Sequence, residues 1–169
     1  VSSKDDPAQS KTLINAVATL LFWALLLTVG LGIVGAPLLI LAIATGFSGS
    51  PAYEASVVMT QIMFPYIGLI SMVSLSAGIL NTFQRFAIPA FTPVLLNLAL
   101  IGSALWLAPQ LDQPIYALAF GVLLGGVLQL AIQIPALRKL GLLPRIGILP
   151  QAIRSAWINP DARRVLKLM

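Results

Sequence analysis

The side chains that could carry chemistry are few, because the chain contains no cysteine and no histidine. A thiolate nucleophile, a cysteine-based metal site and the commonest general base are therefore missing from it. Only five acidic residues occur, and two of them, Glu54 and Asp112, stand in loops without a nearby base. No acid-base pair, metal-ligand cluster or phosphate-binding glycine loop can be assembled from this set. The sequence predicts a protein that is not an enzyme and holds neither metal nor cofactor.

Two glutamines inside an apolar segment are stronger candidates for function. Gln129 and Gln133 lie four residues apart, at the same spacing as Gly121 and Gly125 before them. Hydrocarbon cannot satisfy the donors and acceptors of an amide, so both glutamines are expected to face protein or water. They either form hydrogen bonds between helices or line a path for substrate or water. The GxxxG pair is interpreted as a helix-packing contact.

A proline-rich start distinguishes another apolar segment, where Pro89, Pro93 and Asn97 repeat at steps of four. Each proline removes a backbone donor and leaves a carbonyl of the preceding turn without its helical partner. Asn97, one turn deeper, is expected to bond to the freed carbonyls or to a neighbouring helix. We interpret the three residues as a hinge or part of a substrate path, although Pro89 alone fits an ordinary helix start.

Arg85 is the single cation between the two basic ends of the chain. Its guanidinium either anchors the chain at the membrane interface or contacts an anion on the substrate path. A guanidinium can hold a phosphate through two parallel hydrogen bonds, which makes the second interpretation chemically reasonable.

Small and polar residues form a stripe in the segment before Arg85. Ser71, Ser74 and Gly78 step by three and four residues, which places them on one helical face. Such a face either packs against another helix or lines a polar cavity, and we favour helix packing.

These residues lie in or beside four long apolar segments. Of the 169 residues, 59% are hydrophobic and 9% charged, and the mean hydropathy is +0.97. A soluble domain has about 45–50% apolar and about 25% charged residues, and about 20 apolar residues cross a bilayer. We predict an all-α, polytopic membrane helix bundle with transmembrane helices at residues 12–45, 54–82, 86–107 and 115–137. Pro37 is expected to kink the first of them.

The basic residues predict which way the chain crosses the membrane. All ten Lys and Arg fall at the two ends or in the turn between the second and third helices, whereas the other side holds Glu54 and Asp112. Because positive residues mark the cytoplasmic side, residues 1–11 and 138–169 are predicted to be cytoplasmic. The last segment is predicted to form an interfacial loop or a short surface helix that leads toward a further helix of a larger protein.

Two stretches resemble a known family. Residues 64–102 read FPYIGLISMVSLSAGILNTFQRFAIPAFTPVLLNLALIG, and residues 125–141 read GGVLQLAIQIPALRKLG. Both are similar to the MurJ (MviN) family of bacterial lipid II flippases, and weaker similarity extends over nearly the whole chain. By this resemblance, the four helices would be the third to sixth of fourteen. The residues at matching family positions are Arg85, Pro89, Pro93, Asn97, Gly125, Gly126 and Gln129.

The resemblance implies a transporter of the multidrug/oligosaccharidyl-lipid/polysaccharide exporter superfamily, with two lobes around a central cavity. Lipid II, the undecaprenyl-pyrophosphate-linked peptidoglycan precursor, would move from the cytoplasmic to the periplasmic leaflet of the inner membrane by alternating access. The expected partners are lipid II, membrane lipid and the remaining helices of the same transporter, without nucleic acid. The charged residues that the family is thought to use for the pyrophosphate lie outside this chain.

Other functions stay open from the residues alone. A related polysaccharide-lipid flippase or a drug/cation antiporter would share the four helices and differ in the charge of its cavity. A non-transporting membrane scaffold of an envelope assembly complex would use its polar faces entirely in helix contacts.

Overall fold

The computed structural model describes residues 7–47, 49–148 and 150–162, and every regular element in these ranges is helical. The helices are α1 (Pro7–Ile43), α2 (Pro51–Thr82), α3 (Ala87–Gly102), α4 (Tyr116–Lys139) and α5 (Pro150–Ile158). A 3-10 turn at Thr45–Phe47 follows α1, and α3 continues through a π-helical turn at Ser103–Leu107 and a 3-10 turn at Ala108–Gln110.

Four of these helical segments are long and apolar enough to cross a membrane. They are Ser10–Ile43, Pro51–Thr82, Ala87–Gln110 and Tyr116–Lys139. The prediction of an all-α fold with four membrane-spanning helices is confirmed. The bounds differ in detail, because α1 begins at Pro7 rather than at Thr12 and runs through Pro37 without ending. In the last segment, the short helix α5 forms.

Large apolar side chains on the spans point away from the rest of the chain. Val34, Leu38 and Ile43 of α1 are 80%, 72% and 82% exposed, and Trp106 near the end of α3 is 81% exposed. In a bilayer these side chains can contact lipid, and an indole near the end of a span is typical of the membrane interface. Their exposure therefore fits a membrane protein, whereas in water it would favour aggregation.

The start of α2 has strong helix-initiating residues. The Ser50 hydroxyl accepts a hydrogen bond from the Tyr53 N–H at 3.2 Å, and Pro51 occupies the first helical position. Glu54 lies in the first turn, where a negative charge is stabilised by the helix dipole. The sequence of the loop before Tyr53 thus fixes where the second span begins.

The tight turn between α2 and α3 follows from the way α2 ends. The Arg85 N–H donates to the Leu80 carbonyl at 2.8 Å, and the Gln84 N–H donates to the Asn81 carbonyl at 3.0 Å. This is a Schellman motif, and it places Gln84 at a φ of 60°, a left-handed conformation that usually favours glycine. Arg85 is therefore set at the turn by backbone hydrogen bonds.

The chain divides into two compact units. The core unit is Leu27–Gln133, and the terminal unit combines Val1–Leu26 with Ile134–Met169. In the terminal unit, α4 ends in a second Schellman motif, in which Gly141 has a φ of 65° and donates to the Arg138 carbonyl at 2.9 Å. This motif turns the chain out of α4 into the extended loop of residues 142–148.

That loop is held along α1 by three side chains of α1 that repeat at steps of four, which we call the α1 ladder (Asn15, Thr19 and Trp23). Asn15 Oδ1 accepts the Arg145 N–H at 2.8 Å, and Thr19 Oγ1 accepts the Gly147 N–H at 3.0 Å. Trp23 Nε1 donates to the Gly147 carbonyl at 3.1 Å. The ladder gives an extended segment the hydrogen-bond partners that a neighbouring strand would otherwise supply.

Candidate functional site

Two glycines bring α4 close to α3 in the core unit. A Cβ at Gly125 would lie 2.6 Å from Leu96 Cδ1 and 3.1 Å from Leu96 Cα. A Cβ at Gly121 would lie 3.3 Å from Leu100 Cα. Small residues at these positions let two helix backbones approach closely, and this approach sets the geometry of the polar contact one turn further along α4.

Glycines also mark the contacts of α2 with α4 and with α1. A Cβ at Gly126 would lie 2.9 Å from Tyr66 Cδ2 and 3.2 Å from Leu69 Cβ of α2. At Gly32 of α1, the ring of Phe64 fills the space that a Cβ would need. Gly126, which matches the family pattern, thus lies beside α2, whereas its neighbour Gly125 lies against α3.

Gln129 connects α4 to α3 through a buried hydrogen bond. Its Nε2 donates to the Thr92 carbonyl at 2.9 Å, and the residue is 3% exposed. A hydrogen bond between helices is one of the forces that can hold spans together in a bilayer. Gln129 was expected either to bond between helices or to line a path for substrate or water. The bond to Thr92 gives it a partner for the first of these roles.

Gln133 lies one turn further along α4 and is completely buried. Among the described residues, neither atom of its amide has a hydrogen-bond partner, and Oε1 of Gln129 has none either. Each buried polar group without a partner costs about 1–3 kcal/mol. Three buried polar atoms of these two glutamines therefore have no described partner.

The prolines of α3 free a carbonyl that a neighbouring hydroxyl occupies. Pro93 has no N–H, so the Pro89 carbonyl lacks the donor that position 93 would normally supply. Thr92 Oγ1 donates to this carbonyl at 2.8 Å. Thr92, and not Asn97, thus bonds to the freed Pro89 carbonyl. Asn97 is exposed, and the alternative bond from Asn97 to a neighbouring helix stays a prediction.

Thr92 is thus a residue that the sequence analysis missed. A hydroxyl residue directly before an internal proline was the available signal, because Ser and Thr side chains can bond to a carbonyl three or four residues earlier. Thr92 also accepts the Gln129 bond through its own carbonyl, so it links the proline turn of α3 to α4. We name Pro89, Thr92, Pro93 and Gln129 the proline–amide cluster.

Side chains of α2 also donate hydrogen bonds to backbone carbonyls around a proline of α1. Pro37 frees the Ile33 carbonyl, and Gln61 Nε2 donates to this carbonyl at 3.2 Å. The Tyr53 hydroxyl donates to the Pro37 carbonyl at 3.0 Å. Two side chains of α2 thus stabilise α1 around the proline.

The serine stripe of α2 is satisfied within its own helix. Ser71 Oγ donates to the Ile67 carbonyl at 2.8 Å, and Ser74 Oγ donates to the Ile70 carbonyl at 2.9 Å. Around Gly78, no described atom lies within 4 Å of the position of a Cβ. The described residues therefore leave this face open at Gly78, and its role in helix packing stays a prediction.

No described hydrogen bond joins the charged candidates to the proline–amide cluster. Arg85, Glu54 and Asp112 are all exposed. Within the ranges that the structure describes, no group of three His, Cys, Asp or Glu residues could hold a metal ion. The structure brings together Pro89, Thr92, Pro93 and Gln129, and it leaves Arg85 at the turn and Asn97 on an exposed part of α3.

Four membrane-length helices, with close glycine contacts and one buried Gln129–Thr92 hydrogen bond between them, define a multi-pass α-helical membrane protein. A family model described as "Lipid II flippase MurJ" matches residues 1–169. The chain belongs to this family, which confirms the resemblance drawn from residues 64–102 and 125–141.

Curated relatives agree with the family match. The chain is 46% identical over 162 residues to "Lipid II flippase MurJ" of Burkholderia cenocepacia, covering 95% of this chain and 31% of that protein. It is 40% identical to "Probable lipid II flippase MurJ" of Haemophilus influenzae, over 69% of this chain and 22% of the relative. A third relative, "Probable lipid II flippase MurJ" of Buchnera aphidicola subsp. Acyrthosiphon pisum, is 36% identical over 99% of this chain and 32% of its own length.

The chain thus spans about a third or less of the length of these relatives. Together, the relatives and the four helices support a multi-pass protein of the bacterial inner membrane.

Proposed function

We propose that the protein moves lipid II from the cytoplasmic to the periplasmic leaflet of the inner membrane by alternating access. The observation that carries this proposal is the family match over residues 1–169, together with relatives whose names state the lipid II flippase function. Lipid II is the substrate, and the remaining helices of the transporter complete its path.

The proline–amide cluster gives the four helices a place where backbone change can be absorbed. At Pro93 the helix has lost one backbone hydrogen bond, and the replacement from Thr92 is a side-chain bond that a rotamer change can break. Hinges in transporters are a few positions that take up such changes. Pro89, Pro93 and Asn97 are the proposed hinge residues of α3.

The two glutamines of α4 are proposed to exchange partners when the hinge moves. Gln129 is bonded to Thr92, whereas the Gln133 amide is buried without a described partner. A conformation in which Gln133 finds a partner or water would recover the energy lost here. Both residues, with Arg85 at the cytoplasmic turn, are our candidates for the substrate path.

A depletion experiment on the full-length protein tests the function. Loss of the protein is expected to leave lipid II inaccessible in the outer leaflet and to stop peptidoglycan synthesis. Lipid II reached by an externally added degrading enzyme is the measurement, and the total amount of lipid II in the membrane is the control. Normal outer-leaflet lipid II, with a different polyprenyl-linked sugar retained inside, would contradict the proposal and support a related polysaccharide-lipid flippase.

A further inference from the structure

The terminal unit contains a cavity of about 230 Å³ that the proposed flippase function does not use. It lies between the beginning of α1 and the loop that follows α4. Its polar lining comes from Lys11, Asn15 and Arg145, and its apolar lining comes from Ile14, Leu142 and Leu143. The cavity exists because the α1 ladder holds the loop against α1 through Asn15 and Thr19.

The polar lining consists of hydrogen-bond donors. Lys11 and Arg145 carry positive charge and can only donate. Asn15 Oδ1 accepts the Arg145 backbone N–H at 2.8 Å, and the amide nitrogen of Asn15 can donate to a ligand. Among the described residues, no acidic side chain lines the cavity and neither cation has an ion-pair partner. This combination of two cations and an amide donor favours an anion with several oxygen acceptors, such as a phosphate.

The backbone at Gly141 helps to position one of the cations. A Cβ at Gly141 would lie 3.7 Å from Lys11 Nζ and 3.9 Å from Lys11 Cε, so the lysine chain extends over the cap of α4. The φ of 65° at this residue favours glycine, which leaves the floor of the cavity without a side chain. The Lys11 ammonium is thereby brought to the same cavity as Arg145 although 134 positions separate them in the sequence.

The apolar lining favours a phosphate that belongs to a lipid over a free phosphate ion. Ile14, Leu142 and Leu143 form a nonpolar side, and the cavity lies at the ends of two membrane-length helices, where headgroups and acyl chains meet. A free phosphate ion would leave this nonpolar side uncovered. We propose that the cavity binds an anionic phospholipid, with its phosphate on Lys11, Asn15 and Arg145 and its glycerol and upper acyl region along the three apolar side chains. Basic pockets at the ends of spans are suited to such headgroups.

Lipid retention by the full-length protein tests this site. The protein is reconstituted in nanodiscs that mix phosphatidylcholine with phosphatidylglycerol, extracted in detergent, and the lipid that stays bound is quantified by mass spectrometry. Lys11→Gln with Arg145→Gln is expected to weaken the retention of phosphatidylglycerol by about 25-fold, since each basic residue near an anionic headgroup contributes about fivefold. Lys11→Arg with Arg145→Lys keeps both charges and should retain the lipid.

A matched pair of exposed cations outside the cavity serves as the control. Lys139→Gln with Arg154→Gln removes the same total charge, and neither residue lines the cavity. Equal losses in both double variants would show a general surface attraction and overturn the proposal, as would undiminished retention in the cavity variant. In a further arm, inorganic phosphate is added in excess to the wild-type protein. Retained phosphatidylglycerol supports the lipid as the ligand, whereas its complete displacement would assign the site to soluble phosphate.

Discussion

Gln129 and Gln133 occupy successive turns of α4, are the same residue type and are both buried, yet only Gln129 has a described hydrogen-bond partner. Position on a helical face is therefore not enough to define the role of an amide in a membrane. The difference arises in α3, where Thr92 presents its carbonyl at the level of Gln129.

Replacing Gln133 should separate stability from transport. Gln133→Met removes two buried polar atoms that have no described partner, so we expect the full-length protein to become more stable by about 2 kcal/mol or more. If Gln133 binds a partner in another transport state, the same variant moves less lipid II. Thermal unfolding in detergent and outer-leaflet lipid II in cells are the two measurements.

Gln129→Met is the matched control for this prediction. It removes the 2.9 Å bond to Thr92 and is expected to lower the unfolding temperature. Equal destabilisation by the two variants would mean that the Gln133 amide is already satisfied in the protein.

At the residue scale, the sequence could predict that both glutamines face protein or water, because their cost in hydrocarbon depends only on residue type. It could not predict which glutamine is bonded, since the spacing defines a face of α4 and says nothing about the register of α3. Thr92 was missed because its hydroxyl acts locally, on a carbonyl of its own helix.

At the scale of the element, α3 combines a missing backbone donor with a side-chain replacement. The Pro89 carbonyl receives the Thr92 hydroxyl where a regular helix would use the N–H of position 93. Because a side-chain hydroxyl can rotate away and a backbone N–H cannot, this replacement makes α3 a candidate hinge.

A double-variant cycle tests the replacement. Thr92→Val keeps the shape of the side chain and removes its donor, which should cost about 1–3 kcal/mol because the Pro89 carbonyl loses its partner. In Pro93→Ala, the alanine N–H can bond to the same carbonyl, so Thr92→Val should cost much less in that background. Thermal unfolding of the four full-length proteins measures the coupling, and purely additive effects would contradict it.

The same variants address the hinge. Pro93→Ala is expected to straighten α3 and to reduce the lipid II reached in the outer leaflet, while the amount of folded protein in the membrane stays normal. Thr92→Ser keeps the donor and serves as the control. If Pro93→Ala flips lipid II normally at normal protein abundance, Pro93 is not part of a hinge.

The close approach of α3 and α4 makes a second prediction for the elements. Gly125→Leu inserts a side chain where even a Cβ would lie 3.1 Å from Leu96 Cα, and overpacking of this kind costs about 1–3 kcal/mol. The change should also pull Gln129 away from Thr92. Gly102→Leu, at a position with no described atom within 4 Å of a Cβ, should have a smaller effect on the unfolding temperature.

At the scale of the whole molecule, orientation is a property that the basic residues predict and that labelling can measure. We expect a cysteine at Gln110 to react with a membrane-impermeant reagent from outside the cell and a cysteine at Arg85 to react only after permeabilisation. Both residues are exposed, and residues 1–169 contain no cysteine; any cysteine elsewhere in the protein is replaced first. Labelling at 85 but not at 110 would reverse the orientation. Ser48, which the sequence also places in the periplasm, lies outside the described residues.

The number and class of the helices could be predicted from the sequence because charge-free apolar segments of membrane length have few alternatives. The packing of the terminal unit could not. The α1 ladder consists of hydrogen bonds between side chains of α1 and backbone groups more than 120 residues later, at Arg145 and Gly147. No local pattern in residues 142–148 predicts these hydrogen bonds.

The α1 ladder also imposes an order of events during synthesis. Asn15 and Arg145 are 130 positions apart, and the ribosome makes the chain from its N-terminal end. The hydrogen bonds of Asn15, Thr19 and Trp23 to the loop therefore cannot form until α4 and residues 145–147 have been synthesised. A nascent chain interrupted before Gly147 leaves Trp23 Nε1 without that carbonyl. The contacts of α1 with this loop therefore form only after α4 has been translated.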